Sequence, residues 1–182
     1  MTIQPVRLFG DPVLRARADE VTEFNRELRQ LVTDLTDTMR DDGGAGMAAP
    51  QIGVGLRVFV YDADGAQGYL INPTYEVIGT KEQVGIEGCL SIPDLFYDTT
   101  RALRVRAKGV DVDGAPVAFE AEGYLARCIQ HETDHLDGVL FIDRLDPAAR
   151  KQAMRAIRES DWFTAGITVR ESRAVGARKR SR

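Results

Sequence analysis

A chain of 182 residues can build one domain with a proper core but is too short for two comfortable ones. Hydrophobic residues make up 43% and charged residues 29%, the balance of a soluble globular protein. No stretch approaches the run of roughly 18 apolar residues that spans a membrane. The net charge of −4 hides an asymmetry: residues 170–182, RESRAVGARKRSR, hold six Arg or Lys and one Glu, so the rest of the chain carries −9 and offers no broad nucleic-acid-binding face.

In chain order, Asp11-Pro12 has the form of an N-cap followed by proline, which predicts a short turn of helix. Leu28, Leu31, Val32, Leu35 and Met39 recur at helical spacing, predicting a helix from about Asn25 to about Arg40 that stops at the glycines of DDGGAG. Strand signals follow in LRVFVYD (56–62), GYLINP (68–73) and YEVIGT (75–80). LRVRAKGVDV and PVAFEAEG then flank Asp113-Gly114, a tight-hairpin dipeptide. A helix is expected over roughly 123–136, closed by Gly138. VLFIDRL (139–145) reads as a short strand, and Asp146-Pro147 opens a last helix to about Glu159. The fold class is therefore α+β, with mainly antiparallel sheets and helices near both ends. One domain is expected over 1–165, with 166–182 a basic, disordered tail. The N-terminal stretch lacks a secretory apolar segment and carries acids early, so the cytoplasm is the expected location.

Both histidines of the chain lie in QHETDHLDG, four positions apart. With about 3.6 residues per turn, His131 and His135 share one helix face and can grip one metal ion. Glu132, beside the first, can handle the protons of a bound water, the H-E-x-x-H arrangement of zinc hydrolases. A catalytic site of this kind needs a third ligand. No third histidine exists, and the position a metzincin would use is Phe141. Glu159, 24 residues after His135, is the candidate of a thermolysin-like reading, and spacing alone does not exclude it. Cys128 shares the helix face, but it lies seven residues from His135, an axial rise of about 10.5 Å, too far for one ion. It is expected to be a small buried residue under the site. Cys89, in EGCLS, offers a thiolate from a strand end.

Three segments, GAGMAAPQ (44–51), EGCLS (87–91) and QHETDH (130–135), together with the GDPVL opening, resemble peptide deformylase of the bacterial type over roughly residues 1–160. The resemblance implies a metal-dependent hydrolase that removes the N-formyl group from the formyl-methionine of nascent polypeptides and releases formate. It implies metal ligands Cys89, His131 and His135 and Glu132 as proton carrier, with the Gln51 side chain and the Leu90 N–H as oxyanion donors. Ala45, Gly46 and Gly88 would line the substrate strand, and Ile86 and Tyr124 are candidates for the methionine pocket, simple core packing being their alternative. Ferrous iron is the implied metal, with zinc or nickel as replacements. The ribosome is a candidate partner through the last helix and the basic tail; no membrane and no specific nucleic-acid sequence are implied. Two departures stand near the substrate path: no basic residue between Pro93 and Arg101, and an Arg127 one turn before His131. Asp134 points away from the metal side and is expected to pair with Arg101. A zinc endopeptidase using Glu159 and a non-catalytic metal-binding module remain the rival readings.

Overall fold

The computed structural model describes residues 3–172. A short strand β1 (Val6–Arg7) leads into a single 3-10 turn at Pro12–Arg15, whose Asp11 cap accepts a hydrogen bond from the Val13 N–H, as the Asp-Pro pair predicts. Helix α1 (Arg26–Asp42) starts at the Asn25 side chain, which accepts from the Leu28 N–H, and ends at Gly43, whose φ of 70° closes the last turn. Its stripe of Leu28, Leu31, Leu35 and Met39 is buried.

Strands β2 (Gly46–Ala48), β3 (Val58–Ala63), β4 (Ala66–Val77), β7 (Arg104–Val110) and β8 (Pro116–Glu122) form one antiparallel sheet in the order β2-β3-β4-β7-β8. The period-2 alternation of β3 sends Val58 and Val60 into one cluster with α1, and Phe59 into another with helix α2 (Gly123–Leu136). The sheet is thus covered by α1 on one face and by the histidine-bearing helix on the other. Strands β5 (Glu82–Cys89) and β6 (Ile92–Ala102) make a separate hairpin. Ile92 of β6 packs with Leu140, Phe141 and Ile142 and with Ala153 and Ile157 of helix α3 (Pro147–Glu159). A four-residue helix α4 (Asp161–Thr164) leads to strand β9 (Val169–Arg170), which pairs with β1.

Four expectations need correction. The segments 68–73 and 75–80 are not two strands: 68–77 lies in the one strand β4 and 78–80 beyond its end. Asn72 takes a positive φ of 50° with its amide binding the Val21 N–H and C=O at 2.8 and 2.9 Å, so β4 bulges there without ending. The 139–145 segment is no strand but a 3-10 turn at Phe141–Asp143, held by the Asp143 carboxylate accepting from the Leu140 N–H at 2.9 Å. The hairpin through 82–102 has no counterpart among the predicted elements because Pro93 looks like a stop; it sits one residue inside β6. Residues 166–172 are not disordered: Val169 and Arg170 pair with Arg7 and Val6. The rest of the predicted tail, 173–182, lies outside the described residues.

Candidate metal centre and substrate cleft

The central helix carries an unusual load. Arg127, Gln130, Glu132, Thr133, Asp134 and His135 are all buried, each 6% exposed or less. Buried polar groups require partners, and the β5–β6 hairpin supplies them for Arg127, Gln130, Asp134 and His135. Glu87 accepts hydrogen bonds from Arg101 (2.8 and 3.0 Å) and from Arg127 (2.7 Å), and its Oε2 lies 3.0 Å from His131 Nδ1. Asp134 pairs with Arg101 at 2.6 Å, as expected from the sequence, and also with Arg144 at 2.6 Å. Burial opposes the charge on Glu87, but its bonds from His131 and Arg101 outweigh that and hold its carboxyl well below the usual range.

With Nδ1 of His131 tied to Glu87, its Nε2 is left to face the cleft, the usual way a carboxylate orients a metal-binding imidazole. Phe141 stacks on the same ring, with centroids 6.3 Å apart. The 3-10 turn that replaces the expected strand is therefore part of the support of the site. Cys89 is the last residue of β5, at the turn into β6, its Sγ 3.3 Å from His135 Nε2. The potential ligand atoms of Cys89, His131 and His135 lie within 4.8 Å of one another. Among the described residues these three form the one cluster with the spacing to hold a metal ion. A thiolate and two imidazoles are the donors that borderline divalent metals take, and three of them leave a position open. Burial, then the neighbouring His131, pushes the His135 imidazole well below its ordinary pKa, keeping it in the neutral form a metal requires. His131 is pushed the other way: burial lowers it, but its hydrogen bonds with Cys89 and Glu87 outweigh burial and raise it.

Glu132 is buried, and its Oε2 has no hydrogen-bond partner among the described residues. Burial pushes its carboxyl up to about 7. Gly46 leaves the room it occupies: a methyl group built there would come within 2.8 Å of Glu132 Cγ. Gln51, 2% exposed, accepts from the Ala48 N–H at 2.8 Å, which turns its Nε2 toward Ser91 Oγ (3.3 Å) and Cys89 Sγ (3.7 Å). Gln51, Leu90, Ala45, Gly46, Gly88, Ile86 and Tyr124 all line the same cleft as Cys89, His131 and Glu132.

The chain belongs to the peptide deformylase family. A sequence model of polypeptide deformylases matches residues 3–151. The chain is 61% identical to a peptide deformylase of Acidothermus cellulolyticus over 170 residues, covering 93% of each protein. It is 58% identical to peptide deformylase 1 of Corynebacterium glutamicum over 167 residues, covering 90% of this chain and 99% of that one. A crystal structure of a Legionella pneumophila peptide deformylase superposes with a TM-score of 0.82 at 40% identity, covering 90% of this chain and 98% of the other. A peptide deformylase is a metal-dependent hydrolase that removes the N-formyl group from nascent polypeptides.

Four other residues singled out from the sequence also have defined places. Glu159 sits on α3, 62% exposed and paired with Arg155, and belongs to no ligand cluster. Cys128 is buried beneath the cleft and its thiol donates to the Ala45 carbonyl at 3.3 Å; it forms no disulfide with Cys89. Ile86 and Tyr124 are not core residues: at 68% and 48% exposed they form the cleft's rim, and buried Cys128 and Arg127 line it deeper. Sequence reasoning gives Glu87 no role, although it stands inside EGCLS. A signal is present, since an acid beside a candidate ligand is a natural partner for a histidine, but nothing local says which histidine. Among the described residues no helix is long and apolar enough to cross a membrane.

Proposed function

We propose that Cys89, His131 and His135 hold one divalent cation and that deformylation takes place in the cleft they face. The convergence of those three donors, with Cys89 42 residues from the nearer histidine in sequence, is the observation that carries this reading. Ferrous iron is the proposed ion in the cell. Zinc binds such donors more tightly by the Irving–Williams order, so metal supply decides, and zinc or nickel can replace iron in purified protein. A cation held there supplies Lewis acidity and makes water a competent nucleophile near neutral pH.

The remaining chemistry falls to the chain's own groups. Glu132 Oε2 takes a proton from the attacking water as its oxygen adds to the formyl carbon, then passes that proton to the amine as the C–N bond breaks and formate leaves. The raised carboxyl suits a group that must both accept and donate. The Gln51 Nε2, fixed by the bond between its other amide atom and Ala48, and the Leu90 N–H donate to the oxyanion. β2 is an edge strand of its sheet, so an extended peptide can add alongside Gly46–Ala48 and be read through its main chain. Gly88 and Ala45 keep that approach open. The methionine side chain enters between Ile86 and Tyr124 toward Cys128. The cytoplasm is the proposed location, and ribosomes are a proposed partner through α3 and the basic end of the chain.

Turnover of formyl-Met-Ala-Ser tests the reading. Glu132→Ala should keep its metal yet lose about 10²–10⁴-fold in rate. Loss of the metal together with activity would make Glu132 a structural or ligating residue and overturn its assignment.

A further inference from the structure

Asp42, Leu90 and Arg170 come from three distant parts of the chain and meet at one wall of the cleft. We propose that Arg170 is a positioning residue for deformylation: its guanidinium ties the Leu90 carbonyl to Asp42 and so sets the spacing of the two loops between which the substrate's formyl group lies. This rests on the reading of Leu90 as an oxyanion donor.

The geometry is that of a clamp. Arg170 presents a fork to Asp42, with Nη2 2.7 Å from Oδ2 and Nη1 3.3 Å from Oδ1. The same Nη2 donates to the Leu90 carbonyl at 3.1 Å. Asp42 is the last residue of α1, and its side chain is fully buried. A buried carboxylate at a helix C-terminus faces the negative end of the helix dipole, so it needs a cation, and Arg170 supplies one. Immediately after Asp42 the chain enters the Gly43–Gly46 wall of the cleft, and Gly44 already crowds Leu90: a methyl group built on Gly44 would lie 2.8 Å from Leu90 Cδ1. The bond to the Leu90 carbonyl therefore fixes the turn that follows Cys89 and carries the Leu90 N–H against the loop that leads into Gly46.

The backbone reinforces the placement. Arg170 is fixed opposite Val6 by the β1–β9 pairing, the Leu8 N–H donates to the Thr168 carbonyl at 2.8 Å, and the Phe9 N–H donates to the Ser91 carbonyl at 2.8 Å. Arg170 is thus held from one side by a strand whose continuation, at Phe9, is bonded to the residue after Leu90.

Kinetics of metal-loaded Arg170→Ala, expressed per bound metal, provide the test. With formyl-Met-Ala-Ser, kcat should fall about 10–100-fold, the scale of a displaced reacting group, while KM changes by less than about twofold. Millimolar guanidinium should restore part of kcat, and amide hydrogen exchange over residues 89–91 should quicken. Removal of residues 173–182, which spares Arg170, should leave kcat unchanged. A purely structural role would lower Tm while leaving kcat per metal within about twofold of the parent chain, and that result overturns the proposal. Should Arg170→Ala fail to fold, Arg170→Lys keeps a cation beside Asp42 but loses the fork, and the same split between kcat and KM decides. A parent chain that cannot turn over the formyl peptide would instead overturn the functional reading on which this one stands.

Discussion

Replacing Arg101 with methionine removes the cation between Glu87 and Asp134 while keeping most of the side chain's length. The guanidinium makes three charge-assisted hydrogen bonds, of 2.8 and 3.0 Å to Glu87 and 2.6 Å to Asp134, and all three side chains are at most 5% exposed. At about 1.5–3 kcal/mol each, simple addition would give about 4.5–9 kcal/mol. That overshoots, because removing the arginine also relieves its own desolvation. Both carboxylates also keep other partners: Glu87 keeps Arg127 and His131, and Asp134 keeps Arg144. Breaking one side of a buried pair costs about 3–5 kcal/mol, and the retained partners place Arg101→Met at the lower end, about 3 kcal/mol. For a chain of this length each kcal/mol moves Tm by roughly 2–4 °C, so a drop of roughly 6–12 °C follows. Urea and thermal unfolding of metal-stripped protein, followed by circular dichroism, isolate this effect from cation binding. In the metal-loaded protein the affinity for the ion should fall by about 10–100-fold, since Glu87 then holds His131 less firmly. A stability loss below about 1 kcal/mol would put the cluster on a par with surface ion pairs, and the idea that it anchors the histidine helix to the hairpin would fail.

The same structure sets other expectations. Gly46→Ala should displace the Glu132 carboxylate and cut kcat severely with metal content intact; unchanged turnover would show that the carboxylate has room to spare. Iron-loaded protein should lose activity to peroxide faster than the nickel-loaded form, because the Cys89 thiolate is the group peroxide attacks beside a redox-active ion; equal decay rates count against Cys89 as ligand to an exposed redox centre. Asp143 gives a pH dependence: burial raises its carboxyl, but the hydrogen bonds from Arg15 and the Leu140 N–H outweigh that and lower it. Its contribution is therefore present above the unfolded value of about 3.9 and lost as pH falls through the lower folded value. The Tm difference between the parent chain and Asp143→Asn should be clear at neutral pH and vanish at strongly acid pH, and a difference that persists there would contradict the shift.

Legibility tracks how local the causes are. α1 and α3 are readable because their side-chain caps are local in sequence, α2 because its histidines recur at helical spacing and Gly138 follows its end, and the β7–β8 hairpin because Asp113-Gly114 announces it. The β5–β6 hairpin is not, since Pro93 interrupts the signal in β6 and two of its most buried residues, Glu87 and Arg101, are charged and face a helix that is distant in sequence. The turn at Phe141–Asp143 misleads for the opposite reason, its apolar run resembling a strand when those side chains pack against α3 and β6. At the site, the residue types of the three motifs are informative by themselves. They do not tell which side chains lie behind them. Glu87 is three-way bonded to residues 14, 40 and 44 positions away, and Arg170 reaches Leu90 across 80.

The distance between Cys89 and His131 along the chain has a consequence of its own. A cation bonded to both would join the hairpin to the central helix across a loop of 42 residues, much as a disulfide would. By the loop-closure relation used for such cross-links, that is about 4 kcal/mol of unfolded-state entropy removed. The ion would then work as a reversible staple as well as a reagent. Chelation would loosen the hairpin and expose β5 and β6 to proteases, with cleavage there keeping pace with the loss of metal.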